Sequence, residues 1–186
     1  MDRKIIANKE LEVIGGKPKV YRYWDEKEKK SIDILSCMDR PHSGIASYAT
    51  IGLSEYNIGM ISDEKQMRLE LVGACDEKEE LFPNILSTTA FEIMDRGNCG
   101  YGYIIPNVIS QYINNCEMKH IYLTNPFLWE EFNSVEYENT KIAWLLIVPI
   151  SNQEREYAKA KGWEALETKF EEANIDIFDI KRLSVI

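Results

Sequence analysis

The sequence contains few of the residues from which catalytic and metal centres are usually built. Its only histidines are His42 and His120, and its four cysteines include no C-x-x-C pair. A zinc site would therefore lack closely spaced ligands, and reduced thiols are expected in a chain too large to depend on disulfides. Because a phosphate-binding glycine motif is also missing, the sequence predicts no cofactor, no metal and no catalytic residues.

Long apolar runs are missing as well. The longest, residues 142–150, has about half of the ~20 residues that a membrane-spanning helix needs, and it includes Pro149. We therefore interpret this run as a buried strand. Only three apolar residues follow the charged start of the chain before polar residues return, which is too few for a secretory signal. The sequence thus predicts a cytoplasmic protein without a membrane partner.

Basic residues are the minority among the charged side chains. The chain has 22 lysines and arginines against 31 aspartates and glutamates, which gives a formal net charge of -9. Proteins that bind nucleic acid need clustered basic groups to neutralise phosphates. A nucleic-acid partner is therefore disfavoured and a basic protein partner favoured. An excess of acidic residues can also act only to keep a protein soluble. The net charge by itself does not distinguish a role in solubility from binding to a basic partner.

The pattern along the chain predicts one domain over residues 1–186, since 45% hydrophobic residues suffice for one core. Alternation and β-branched residues predict strands at residues 20–24, 31–38, 46–54, 68–74, 119–123 and 141–148. Helices are predicted at residues 5–14, 79–97 and 163–173, and after a capping box formed by Ser151 and Glu154. This order predicts an α+β fold in which helices cover a mixed, mostly antiparallel sheet.

The same strand and helix patterns predict a set of core side chains. The candidates are Tyr48, Ile51, Leu53, Leu69, Leu71, Phe91, Ile121, Leu123, Trp144 and Leu146. Residues 98–117 contain Gly100, Gly102 and Pro106 and are predicted to form a loop with a short helical piece near residues 109–112.

One connection, residues 127–139, combines aromatic with acidic side chains, and we call it the acidic segment. Aromatic residues give rigid contact area in protein interfaces, and carboxylates attract a cationic partner. The hypothesis for a partner-binding site therefore has Trp129 and Tyr137 as anchors and four carboxylates as electrostatic complements: Glu130, Glu131, Glu136 and Glu138. The competing interpretation is a loop whose aromatic side chains dock on the protein's own core.

An enzymatic function would depend on Cys99 or one of the histidines. A cysteine nucleophile paired with His42 or His120 is chemically possible. The local sequence, however, places neither a base nor an oxyanion donor beside Cys99. Buried structural thiols are the favoured interpretation, and we predict that the protein is not an enzyme.

Short motifs along the chain resemble those of one protein family. The segment Thr50-Ile51-Gly52-Leu53-Ser54, a T-x-G-L-S pattern, is followed by Glu70-Leu71 in a predicted strand. Further blocks follow in order at residues 82–86, 120–123, 126–129 and 148–151. The last block is followed by Glu154, Tyr157 and Gly162. In their order and spacing these blocks resemble the bacterial Suppressor of fused-like family over nearly the whole chain.

The resemblance implies a Suppressor of fused-like domain that binds another protein without catalysis. The chain looks most like the short bacterial members, for which the implied role is an antitoxin or immunity protein against a nuclease toxin of the polymorphic or LXG type. The animal relatives carry an additional C-terminal domain, so their partner is not carried over. An acidic protein can occupy the basic surface with which a nuclease holds phosphates.

Two other functions stay open at this point. One is an intracellular interaction protein that sequesters a different protein partner. The other is an enzyme that uses the neighbourhood of Cys99 or His120.

Overall fold

A mixed β-sheet forms the centre of the computed structural model, which describes residues 3–62 and 64–186. Its strands in chain order are β1 (Lys19–Trp24), β2 (Ser31–Cys37), β3 (Ile45–Ile51), β4 (Ile61–Ser62), β5 (Lys65–Asp76), β6 (Ile104–Ile105), β7 (Met118–Thr124), β8 (Val135–Tyr137) and β9 (Thr140–Ser151). The helices are α1 (Arg3–Ile14), α2 (Phe82–Arg96), α3 (Asn152–Lys161) and α4 (Trp163–Ala173). Within the described ranges, no helix combines the length and apolar character that crossing a bilayer requires.

The strand pairing confirms the predicted α+β fold with a mixed, mostly antiparallel sheet. The strand order is β1-β2-β3-β5-β9-β7-β6, with β4 added to β5 and β8 added to β9. The central strands β5 and β9 run parallel, and the other pairs are antiparallel. A parallel pair needs a long crossover connection. Here the crossover contains α2, β6, β7 and β8.

Both faces of the sheet are covered. Successive side chains of a strand point to opposite faces, so the central strands contribute to two apolar clusters, one on each face. Leu145 and Ile147 of β9 belong to the cluster that α2 covers. Trp144 and Leu146 belong to the cluster on the opposite face, to which α1 and α4 contribute. A strand buried on both faces has a nearly continuous apolar sequence, which explains the run that predicted β9.

Most of the predicted elements are confirmed, and the differences have local causes. The strand predicted at residues 46–54 ends at Ile51, because Gly52 adopts a φ of 115° and Leu53–Glu55 form a 3₁₀ turn. The predicted capping box of Ser151 and Glu154 opens α3. The predicted core side chains are buried except Phe91, which is half-buried and packs against the α2 cluster.

The T-x-G-L-S segment folds around the buried carboxylate of Glu70. Thr50 Oγ1 and Ser54 Oγ each donate a hydrogen bond of 2.6 Å to this carboxylate. The backbone N–H groups of Gly52, Leu53 and Ser54 donate to it at 2.9, 3.2 and 3.0 Å. These bonds join the end of β3 to β5, and they satisfy a group whose burial without partners would be costly.

A second buried carboxyl group, that of Glu10 in α1, lies within the electrostatic reach of Glu70. Its Oε1 accepts a bond of 3.1 Å from Trp144 Nε1, and its Oε2 has no partner among the described residues. Burial, together with the charge of Glu70, raises the pKa of Glu10 well above its ordinary value. Burial also raises the pKa of Glu70, but hydrogen bonds from Ser54 and Thr50 oppose this effect. The negative charge is therefore favoured on Glu70 and the proton on Glu10.

We predict that Glu10→Gln increases stability at neutral pH. The folded protein keeps the Glu10 proton to a higher pH than the unfolded chain, whose pKa lies near the ordinary value of 4.5. The free energy of unfolding of the native protein therefore falls as pH rises above that value, by about 1.4 kcal/mol for each unit of pKa shift. Glutamine has no such titration and still accepts the bond from Trp144.

Urea unfolding at about pH 4.5 and about pH 8 measures this effect. The Glu10→Gln variant should gain stability over the native protein at the higher pH only. Glu12→Gln, an exposed change in the same helix, is the matched control and should gain at neither pH. A gain of equal size at both pH values would contradict the prediction.

Candidate partner-binding surface

The acidic segment is only partly a loop. Its first part, residues 127–134, contains tight turns closed by backbone bonds such as Trp129 N–H to the Pro126 carbonyl at 2.9 Å. Its second part is a hairpin in which β8 pairs antiparallel with β9. The interpretation of the whole segment as a loop is therefore wrong for Val135–Tyr137. The hairpin turns at Glu138, which has a φ of 51°.

Trp129, which is predicted from the sequence as an anchor for a partner, lies in the core. The side chain is 6% exposed. Its ring lies edge-on to Phe132 at 5.8 Å between centroids, and Phe132 stacks on Trp144 of β9 at 5.3 Å. The competing interpretation, in which aromatic residues of the segment dock on the core, holds for this residue. The physical reason is that the segment covers the apolar face of the sheet around Trp144.

The carboxylates of the segment lie on the surface. Glu130, Glu131 and Glu138 are exposed. Glu136 is exposed as well and forms an ion pair with Lys65 at 2.6 Å. Tyr137 is half-buried and packs against the cluster of Trp129 and Trp144. The predicted acidic residues thus lie exposed along one connection, whereas Trp129 and Phe132 of that connection are buried. Their role in binding stays a prediction.

A cleft that the sequence pattern did not indicate adjoins the start of the acidic segment. It lies between the end of β7 and α4 and has a volume of about 490 Å³. We call it the Glu167 cleft. Its lining residues are Tyr101, Tyr122, Thr124, Asn125, Phe127, Val148, Glu167, Phe170, Glu171, Asn174, Ile175 and Ile177. Because these residues come from distant parts of the chain, no local motif could predict the cleft.

Three hydroxyl groups converge on the carboxylate of Glu167. Tyr122 O–H and Thr124 O–H donate to Oε1 at 2.9 and 2.6 Å, and Tyr101 O–H donates to Oε2 at 2.6 Å. Burial and the contact with Glu167 raise the pKa of Tyr101 to about 12. The same causes raise the pKa of Tyr122. Both tyrosines therefore remain protonated donors at neutral pH.

The C-terminal family block has a structural role that resembles that of the Glu70 site. The Glu154 carboxylate accepts two bonds from the guanidinium of Arg182, at 2.7 and 2.9 Å. It also accepts the N–H groups of Ser151 and Val185 at 2.9 and 3.1 Å. This buried pair joins the start of α3 to the C-terminal residues. The family motifs therefore include buried carboxylates that hold the fold together.

The candidate catalytic residues are not brought together. His42 lies on the surface, where its Nδ1 contacts the Ser43 carbonyl at 3.2 Å. His120 Nδ1 accepts the Asn107 N–H at 2.9 Å, and its Nε2 bonds to Asn152 Oδ1 at 2.9 Å. Burial lowers the pKa of His120 and raises the pKa of Cys99 to about 12. In the part of the chain that the structure describes, these two side chains share no hydrogen bond. The four cysteines are buried thiols.

The chain is similar along its full length to a named bacterial protein. It is 43% identical over 187 aligned positions to Immunity protein YqcF of Bacillus subtilis (strain 168). The alignment covers 100% of this chain and 97% of that protein.

Solved structures show the same fold at low sequence identity. A SUFU homologue from Neisseria gonorrhoeae FA 1090 matches with a TM-score of 0.74 at 16% identity, covering 99% of this chain and 96% of that one. A chain of the Sufu-Fu complex matches with a TM-score of 0.69 at 14% identity, covering 98% and 91%. The family model of the Suppressor of fused protein (SUFU) matches residues 28–183. Together with the full-length relative, this match shows that the chain belongs to the SUFU family.

Proposed function

We propose that this protein is an immunity protein that binds a toxin protein and blocks its activity. The observation that carries the proposal is the similarity to Immunity protein YqcF, which extends over the full chain at 43% identity. Inhibition by occupancy needs a complementary surface and no reacting groups. This agrees with the buried, hydrogen-bonded state of His120. The proposed place of action is the cytoplasm, where the toxin would meet its target.

The toxin in this proposal is a nuclease with a basic surface. A nuclease binds phosphates through lysine and arginine, so an inhibitor that covers this surface presents carboxylates in place of phosphates. The net charge of -9 supports this interpretation. So does the exposure of Glu130, Glu131 and Glu138 on one connection. The buried rings of Trp129 and Phe132 hold the backbone of that connection, which reduces the entropy lost on binding.

The alternative is an interaction protein that sequesters a different intracellular protein. One of the solved structures with this fold is the Sufu-Fu complex, in which a protein of this fold assembles with another protein. Both functions use a surface and no catalytic centre. They differ in whether a toxin is neutralised.

The function is tested by producing, in a bacterial host, the protein encoded by the gene next to this one as the candidate toxin. We expect the toxin alone to stop growth and this protein to restore it. A nuclease assay with purified proteins should show loss of cleavage at equimolar ratio. Growth arrest and cleavage that persist despite the protein would contradict an immunity role. Capture of another cellular protein without neutralisation would favour the sequestration alternative.

We predict that Glu130→Lys/Glu131→Lys slows association with the toxin and weakens the salt dependence of association, because exposed charges at an interface act mainly on the association rate. The rates are measured by surface plasmon resonance at several salt concentrations. Glu77→Lys/Glu80→Lys changes the net charge equally at two other exposed positions and is the control. Unchanged rates in the folded Glu130/Glu131 variant would remove these residues from the interface.

Trp129→Ala should act on stability, because the ring is buried against Phe132. Removing a large buried aromatic side chain costs about 3 to 5 kcal/mol of the free energy of unfolding. Urea unfolding measures this loss, and toxin affinity is then determined at a temperature where the variant is folded. We expect that affinity to fall by much less than the stability, because the ring offers no surface to the partner and its loss only loosens the connection. A variant that unfolds like the native protein but dissociates faster from the toxin would contradict the buried role.

A further inference from the structure

The Glu167 cleft presents negative charge and aromatic surface beside the acidic segment. We propose that it binds the side chain of a lysine or arginine from a segment of the protein partner. The proposal rests on the proposed function, because it names a site through which the toxin is recognised.

The charge in the cleft is not balanced by a cation. In the described part of the chain, Glu167 forms no ion pair, and the groups that donate to it are neutral hydroxyls. Glu171 lines the same cleft one helical turn further along α4, and no lysine, arginine or histidine is among the lining residues. A carboxylate in a partly enclosed site gains strongly from a cation that brings its own hydrogen bonds.

The hydrogen bonds inside the cleft determine which groups a ligand must supply. Tyr101, Tyr122 and Thr124 direct their O–H groups to Glu167, so their oxygens offer only lone pairs to an incoming group. A carboxylate has about four accepting positions, and these three bonds leave one of them open. Among the lining residues, only the amides of Asn125 and Asn174 offer side-chain donors. Lysine and arginine carry donors and no acceptors, so they match this arrangement.

Aromatic and apolar walls suit the long stem of such a side chain. Phe127 stands at the cleft with 58% of its surface exposed, although phenylalanine is usually buried in a folded protein. A lysine or arginine stem packs on apolar surface while its charge interacts with ring faces. The volume of about 490 Å³ leaves room for parts of the neighbouring residues as well. The occupant is therefore a peptide segment with a basic residue.

The cleft is continuous with the proposed acidic interface. Phe127 is the first residue of the acidic segment and also lines the cleft. A basic partner that contacts Glu130 and Glu131 could thus place one side chain into the cleft. The surface carboxylates would attract the partner, and the cleft would bind a single residue of it.

The test uses the tripeptide acetyl-Leu-Arg-Leu-amide and the same peptide with citrulline, which keeps the shape of arginine and removes its charge. Binding to the full-length protein is followed by NMR through the amide signals of Thr124, Phe127 and Glu167. We expect the arginine peptide to bind at least about tenfold more tightly than the citrulline peptide. Equal affinity for both peptides would overturn the proposal. N-ethylguanidinium that binds as tightly as the arginine peptide would also overturn it, since the cleft would then be a site for small cations.

Matched variants locate the binding. Glu167→Gln keeps the size of the side chain and should remove the preference for arginine over citrulline, whereas Glu130→Gln makes the same charge change outside the cleft and should keep it. Phe127→Ala alters an exposed side chain and should weaken binding of the arginine peptide while the protein stays folded. This variant tests the cleft even if Glu167→Gln is unstable. A preference that survives in the folded Glu167→Gln variant would overturn the proposal, and so would an arginine peptide that binds Phe127→Ala as tightly as the native protein.

The toxin assay separates this inference from the proposed function. Neutralisation by Glu167→Gln at native strength, with loss in the Glu130→Lys/Glu131→Lys variant, would overturn the role of the cleft and leave the immunity function standing. If the native protein binds the arginine peptide but fails to neutralise the toxin, the immunity function is contradicted, whereas binding of a basic side chain in the cleft is supported.

Discussion

The structure depends on the buried carboxylate of Glu70 and the groups that bind it. Five hydrogen bonds from the end of β3 and the following turn converge on this side chain in β5. A charge removed from water must receive such bonds or it destabilises the fold. The left-handed Gly52, with a φ of 115°, lets the backbone N–H groups turn towards it. The T-x-G-L-S motif is therefore the binding site of an internal carboxylate.

The neighbouring Glu10 extends this arrangement to the other elements of the same face. Its bond to Trp144 connects α1 with the central strand β9, and Trp144 in turn stacks on Phe132 of the acidic segment. The elements that carry the proposed binding surface are thus packed on the same layer as the buried carboxyl pair. A substitution in this layer would therefore shift the acidic segment, because Trp144 and Phe132 are in direct contact.

The acidic residues of the protein fall into separate classes by position. Glu70 and Glu154 are buried and fully bonded, whereas Glu130 and Glu131 are exposed on a connection that Trp129 and Phe132 pack onto the core. Glu167 is intermediate, since hydroxyls bind it at the side of an open cleft. Exposed connections vary without disturbing a core, and this suits the binding role proposed for the acidic segment. The net charge alone does not distinguish these classes.

The sequence by itself determined the elements whose signals are local, such as the capping box of Ser151 and Glu154 and the apolar run of β9, because propensity and periodicity act between near neighbours. The short strands β4, β6 and β8 were missed, since two or three residues show no periodicity. Only the tertiary structure decided that Trp129 faces the core beside Phe132 and where the cleft forms. Tyr101 and Glu167 are 66 residues apart in sequence, and their side chains meet only in the folded chain. Contacts between distant residues leave no periodic trace in the sequence, because their geometry is fixed by packing and not by local backbone preference.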